Sequence, residues 1–302
     1  MTPTRHVARL AVWGVLLVGL TACNGTAPAS APTSTPTRSS EPSPLGAGTA
    51  SSPAPGPVAS ATSATGAPTA RWKPPAQVTW QWQLTGTLDL SVNAGVYDVD
   101  LFATSAEQVR QLHADGRKAI CYLDAGSYEP GRPDSAQYPA ALLGRELDGW
   151  PGERWLDIRR LDLLLPLIAA RMDLCAKKGF DGVEPDNIDG YANDTGFDLT
   201  AADQERLDRE LARIAHERGL AIGLKNDLDQ VDVLQPDFDF AVDEQCLQYD
   251  ECSLLLPFVK AGKPVLHVEY DLAPASFCPT ARAMGFSSML KPLNLDVGRT
   301  AC

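Results

Sequence analysis

Within the thirteen residues Gly-Phe-Asp-Gly-Val-Glu-Pro-Asp-Asn-Ile-Asp-Gly-Tyr at 179–191, Glu184, Asp186, Asn187 and Asp189 put three carboxylates and an amide beside a proline and a glycine. Closely set carboxylates are the side chains of general acid–base catalysis and of carboxylate nucleophiles. The plainer alternative is an Asx-rich turn capping the next helix. Ionisable groups also close the other apolar runs, which moves the balance toward a working site. Counting by twos places Asp98 with Asp100, Tyr122 with Asp124, Glu184 with Asp186 and His267 with Glu269 on common strand faces, while Lys225, Glu244 and Lys291 end three further runs.

Other chemistries find no footing. Asn187-x-Asp189-Gly190 looks like half of a calcium-binding loop, but the frame puts Pro185 and Gly196 where its first and last acids belong. His113, His216 and His267 have no ligand spacing, and no Gly-x-Ser-x-Gly turn exists for a serine nucleophile. No metal and no organic cofactor is therefore expected.

The acids need strands to aim them. Strand patterns fall at 78–84, 96–102, 118–125, 180–186, 220–226, 238–245, 264–270 and 286–291, with helical patterns at 105–115, 161–178, 201–218, 253–261 and 274–284. Thr200 with Asp203 makes a capping box, and Gly179 ends a helix. Alternation of this kind predicts an α/β fold, a single (β/α)8 TIM barrel whose C-terminal rim carries the acids. A doubly wound open sheet is the runner-up, but no glycine-rich phosphate loop follows any strand. The stretch from Gly126 to Arg160 is expected to be a long irregular loop, and Trp80, Trp82, Trp150 and Trp155 offer flat faces for sugar rings, one of each pair being the better candidate for core.

Residues 1–22 carry Arg5, Arg9 and an apolar run ending at Leu20-Thr21-Ala22-Cys23, which reads as a signal peptide with a lipobox and lipidation of Cys23. Residues 23–70 are Ala, Pro, Ser, Thr and Gly with only Arg38 and Glu41 charged, a disordered tether. The folded domain is 71–302, with a formal charge of −14 once the charges of the first 70 residues are removed. That balance argues against nucleic acid and would attract a cationic substrate. Beyond Cys23, six cysteines in an exported domain read as disulfides: Cys246 with Cys252 and Cys278 with Cys302 are favoured, while Cys121 and Cys175 could remain buried thiols.

Acid chemistry in an aromatic-lined barrel mouth fits two carboxyls flanking a glycosidic bond. The ordered blocks Trp80–Leu84, Tyr97–Asp100, Ile120–Gly126, Arg154–Arg159, Gly182–Asn187, Gly223–Asp227, Glu244–Cys246 and Val268–Tyr270 resemble those of glycoside hydrolase family 114, the endo-α-1,4-polygalactosaminidases. The resemblance implies hydrolysis of α-1,4-linked galactosamine or N-acetylgalactosamine exopolysaccharide, which the signal peptide and lipobox would place in a secreted, membrane-tethered enzyme. It implies Asp186 and Glu244 as the catalytic pair, by analogy nucleophile and acid/base in a retaining reaction, with Glu269 a rival for Glu244. Trp82, Asp98, Asp100, Tyr122, Asp124, Lys225, Asn226 and Glu269 are then substrate-binding candidates. Alternatives are a glycosidase for another sugar and a non-catalytic carbohydrate-binding barrel.

Overall fold

The structure, a computed structural model, describes residues 71–302. The proposed signal peptide, Cys23 and tether lie outside the described residues. Eight parallel strands follow one another in a single curled sheet: β1 Trp80–Gln83, β2 Val96–Asp100, β3 Lys118–Asp124, β4 Gly182–Asp186, β5 Ala221–Lys225, β6 Phe240–Glu244, β7 Val265–Glu269 and β8 Ser287–Leu290. All eight expected strands form, each shorter than its sequence pattern by one to a few residues at the ends. The ladder runs from β1 to β8, and among the described residues no backbone ladder joins those two. Side chains bridge them instead: Trp80 Nε1 donates to Ser287 O at 2.9 Å and Ser287 Oγ accepts from Val78 N at 3.0 Å. The C-terminal segment finishes the seam. Leu84 N donates to Leu295 O at 3.0 Å, Arg299 reaches Trp80 O at 2.7 Å, and β9 (Thr300–Ala301) pairs antiparallel with β8.

The strands sort their side chains between two cores because successive residues point to opposite faces. One face carries Trp80, Trp82, Val96, Ile120, Phe240, Val242, Leu266, Val268 and Met289, the concave interior. The other packs Tyr97, Val99, Cys121, Val183, Ile222, Leu224 and Val265 against the helices. These are α1 Ala106–Ala114, α2 Leu161–Lys178, α3 Ala201–Glu217, α4 Val231–Leu234, α5 Leu256–Lys260 and α6 Pro274–Ala283. The Thr200–Asp203 capping box is present, and Ser105 with Gln108 makes a second. Gly179 ends α2 at φ 92°, a left-handed conformation that only glycine adopts without a Cβ penalty.

The expected irregular loop after β3 is instead a small antiparallel sheet. Strand Trp150–Leu156 lies between Ser127–Tyr128 and Leu143–Leu147. Its hairpin turns at Asp148-Gly149 between the paired Leu147 and Trp150, with Gly149 in a left-handed backbone at φ 84°. Buried Arg171 on α2 anchors this excursion, donating to both Asp134 oxygens at 2.7 and 2.9 Å and to Asp124 O at 2.8 Å.

Three disulfides cross-link the domain: Cys246–Cys252, Cys278–Cys302 and Cys121–Cys175. The last joins β3 to α2, so the two cysteines left open as free thiols are paired. Three bridges suit folding in an oxidising compartment, as in exported proteins. No described helix is long and apolar enough to cross a membrane. The Cys121–Cys175 bridge closes a loop of 54 residues. A Cys121→Ala, Cys175→Ala double variant is expected to lose about 3–4 kcal/mol in chemical denaturation, through the freed unfolded chain; an unchanged midpoint would argue that the bridge does not form.

Candidate active site

At the C-terminal ends of β4, β5 and β6, three consecutive interior positions carry Asp186, Lys225 and Glu244. Each strand then leaves sharply: Asn187, Asn226, Asp227 and Gln245 all have left-handed backbones, with φ of 59°, 52°, 45° and 66°. Asn and Asp tolerate that region better than most residues, and the turn stops the strand directly above the functional group. Gly126 lets the neighbouring loop close in, because a Cβ there would sit 1.7 Å from Asn187 O.

Lys225 is buried at 3% exposure and its ammonium touches Asp186 Oδ1 at 2.7 Å and Glu244 Oε2 at 2.8 Å. Since both oxygens touch one nitrogen, they stand no more than about 5.5 Å apart. Each carboxylate gains further donors. Asp186 accepts from Tyr122 OH and from Asn187 N, both at 2.8 Å. Glu244 accepts from Tyr270 OH and from Asn226 Nδ2, and Asn226 Oδ1 in turn holds the Glu244 amide at 3.1 Å. Burial works against ionising Glu244, but the Lys225 charge and the bonds from Lys225, Tyr270 and Asn226 outweigh it and hold the carboxyl down at about 2. Burial likewise opposes the charge on Lys225, and Asp186, Glu244 and Glu184 override it, pushing its ammonium well above the usual lysine range.

Beneath this triad lies a second acid pair. Asp98 and Glu184 are both sealed from solvent, and Trp82 Nε1 donates to Glu184 Oε2 at 3.1 Å. Burial raises Asp98 to about 7, against the pull of Glu184 and Lys225, and raises Glu184 further, with Asp98 adding to the effect. The Lys225 ammonium lies 5.3 Å from the Trp82 ring centroid, so this layer supports the lysine from below.

The substrate-binding candidates therefore divide. Tyr122, Lys225 and Asn226 bond directly to the carboxylate pair. Trp82 and Asp98 are buried under it, and neither presents a face to a sugar. Asp124 is equally buried and braces the loops, accepting from Ser127 N at 2.6 Å and Asn187 Nδ2 at 2.8 Å. Asp100 accepts from the amides of Phe102 and Ala103 at 2.9 and 2.7 Å and pairs with Arg132 at 2.7 Å, turning the chain after β2. Of the tryptophans, Trp80, Trp82 and Trp155 are buried and Trp150 is half exposed.

Glu269 departs furthest from expectation. With His267 it points outward into the helix layer, fully buried, where its Oε1 accepts from Leu247 N at 2.9 Å and His267 Nε2 at 3.0 Å. It fastens the segment that follows Glu244 rather than facing the pair. His267 also meets Ser288 Oγ at 3.0 Å and lies near Cys246 and Cys252, whose sulfurs are spent on their disulfide. The inward residue at the end of β7 is Tyr270, which the sequence reading quoted but gave no part. Leu266 and Val268 belong to the interior, so Tyr270 follows them inward. Glu153 was likewise passed over. Burial, with Glu129 and Asp186 nearby, raises it to about 7.

A profile of glycoside-hydrolase family GH114 matches residues 61–302. Among solved structures, Ega3 of Aspergillus fumigatus, crystallised in complex with galactosamine, shares 40% identity over 78% of this chain and 98% of its own, with a TM-score of 0.74. The glycoside hydrolase domain of PelA from Pseudomonas aeruginosa has the same fold at 14% identity, covering 76% of this chain and 99% of that one, with a TM-score of 0.57. No curated protein sequence matches.

The folded pKa of Glu244 lies below its ordinary value, so the stability it lends is present above that ordinary value and is lost as pH falls toward 2. Lys225→Met removes the buried cation from between two half-buried acids. It is expected to cost about 3–5 kcal/mol and to move the Glu244 titration upward, past its ordinary value. Carboxyl-carbon NMR across the acid range checks this; a Glu244 titration unmoved by the substitution refutes the dependence on Lys225.

Proposed function

The chain belongs to glycoside-hydrolase family GH114, and from that premise we propose that it is an endo-hydrolase of α-1,4-linked galactosamine or N-acetylgalactosamine polymer, working on a (β/α)8 barrel. The observation that carries this is the separation of Asp186 and Glu244. The two oxygens that meet Lys225 lie no more than about 5.5 Å apart, which favours the closer spacing of a retaining pair over the wider one of an inverting pair. The galactosamine in the Ega3 complex and the acidic domain both favour an amino-sugar substrate, cationic where its amines are free.

In this reading Asp186 attacks the anomeric carbon to form a glycosyl-enzyme. Glu244 protonates the departing sugar oxygen and then takes a proton from the water that resolves the intermediate. Glu244 can carry that proton only when the Lys225 ammonium turns wholly to Asp186, which substrate entering between the acids would bring about. Tyr122 and Tyr270 keep the two carboxyls oriented. The depressed Glu244 favours one second reading, the exchange of roles, with Glu244 as nucleophile and Asp186 as acid. Glu269, sealed in the helix layer, has no access to either part. The domain reaches its polymer at the cell surface on a lipidated Cys23 and the tether of residues 24–70, exported through the preceding signal peptide.

Defined α-1,4-galactosamine and N-acetylgalactosamine oligomers are expected to yield internal cleavage products whose first-formed anomer is α. Asp186→Asn and Glu244→Gln should each lower kcat by about 10³-fold or more. Mass spectrometry of a trapped glycosyl-enzyme should locate the sugar on the peptide bearing Asp186; a label on Glu244 selects the exchanged roles. Binding without cleavage by the unaltered protein would sink the hydrolase assignment, and a first-formed β product would sink retention.

A further inference from the structure

Three consecutive residues where β7 ends each hold a different part of the chain around Glu244. Val268 O accepts from Gln245 N at 2.7 Å. Glu269 Oε1 accepts from Leu247 N at 2.9 Å and from Gln248 N at 3.3 Å. Tyr270 OH donates to the Glu244 carboxylate itself. Alternation along the strand makes this possible, since Glu269 points out to the loop while the next residue, Tyr270, points in to the acid. A shift of Glu269 therefore reaches Glu244 from two sides, through the backbone of 245–248 and through the Tyr270 hydroxyl.

Glu269 is itself held by a row of side chains across the outward face. Strands β6, β7 and β8 set Asp243, His267 and Ser288 at paired positions. His267 meets Ser288 Oγ through Nδ1 and Glu269 Oε1 through Nε2, both at 3.0 Å. The two loop amides only donate, so Oε1 is an acceptor and His267 Nε2 is its third donor. Asp243 Oδ1 takes a further loop amide, Cys246 N, at 3.2 Å, and the Cys246–Cys252 bridge closes the loop. All four side chains of this network are buried. Glu269 Oε2 is buried with no hydrogen-bond partner, so the carboxyl is kept at a cost to stability. That cost secures a fixed loop at a strand end where Gln245, at φ 66°, takes a strained left-handed turn. We propose that Glu269, oriented by His267, is a positioning residue for Glu244: it touches no substrate, and it sets the direction of the Glu244 carboxyl toward Asp186. The proposal rests on Glu244 being one of the reacting pair.

The test compares Glu269→Ala, Glu269→Gln and the unaltered protein on defined α-1,4-galactosamine oligomers and by carboxyl-carbon NMR. In Glu269→Ala, kcat is expected to fall about 10–100-fold with KM within about twofold, the pattern of a reacting group displaced by an ångström or less. Glu269→Gln, whose amide oxygen still accepts from both loop amides, should recover most of that loss. The NMR arm needs no substrate: Glu269→Ala should move the Glu244 titration upward as Tyr270 and Lys225 lose their alignment on it, and Glu269→Gln should move it less. If Glu269→Ala does not fold, His267→Ala takes its place, leaving the loop bonds and removing only the group that orients the carboxyl, with a kcat loss of about threefold to tenfold. A loss confined to KM, a kcat within twofold of the unaltered protein, or an unmoved Glu244 titration in the folded variant overturns the proposal. Should the unaltered protein cleave none of these oligomers, the substrate assignment fails, and the Glu244 titration alone decides whether Glu269 positions it.

Discussion

The site depends on one ammonium group held between two carboxylates. Asp186 and Glu244 could not stand so close in a buried setting as bare anions, because their repulsion grows as the local dielectric falls. Lys225 supplies the compensating charge at 2.7 and 2.8 Å and thereby fixes their separation. Burial raises both Asp98 and Glu184 below, disfavouring charge in that layer. Two carboxylates against one ammonium leave the upper layer negative overall yet satisfied locally.

Placing a lysine there requires an interior that is apolar in its lower layers. Val96, Ile120, Phe240, Leu266 and Met289 fill the interior and are buried to a few percent or less. The polar groups are stacked above them, at the strand ends where βα loops can reach. The outer face inverts this arrangement: its polar residues are structural. Glu269 and His267 are examples, acids and bases spent on holding a loop and a neighbouring strand. Charge at a strand end thus has two meanings in this fold, and only the direction of the side chain separates them.

That distinction sets how much was legible in the sequence. Strand order and the strand-end acids could be read because period-two alternation and repetition of βα units are local properties, whereas the pairing of Asp186 with Glu244 came only with the family resemblance. The split between Glu269 and Tyr270 needed the phase of β7 relative to its neighbours, which comes from the sheet register and not from β7 alone. Trp82 and Asp98 looked like sugar contacts because a strand end says nothing about depth, and depth is set by how the sheet is staggered. The Asp148-Gly149 hairpin carried a usable turn pattern that was overridden by reading the whole of 126–160 as loop. Cys121 and Cys175 could not be paired in advance, since their approach depends on how α2 lies across β3.

The turns above the acids complete the argument. At β4, β5 and β6 the residue following the functional group adopts a left-handed backbone, and two of the three are asparagine. A strand that simply continued would carry its next interior side chain into the space the substrate needs. Breaking it at once clears that space and frees backbone and side-chain donors: Asn187 N binds Asp186, and Asn226 Nδ2 binds Glu244. The cost is local strain, of order 1 kcal/mol per residue, and it is met by surroundings that give the loops no alternative. Asp124 clamps Asn187, Gly126 admits the close approach, and Glu269 fastens the segment after Glu244. Residues that never touch a sugar are in this way as necessary to the carboxylate spacing as the lysine that bridges it.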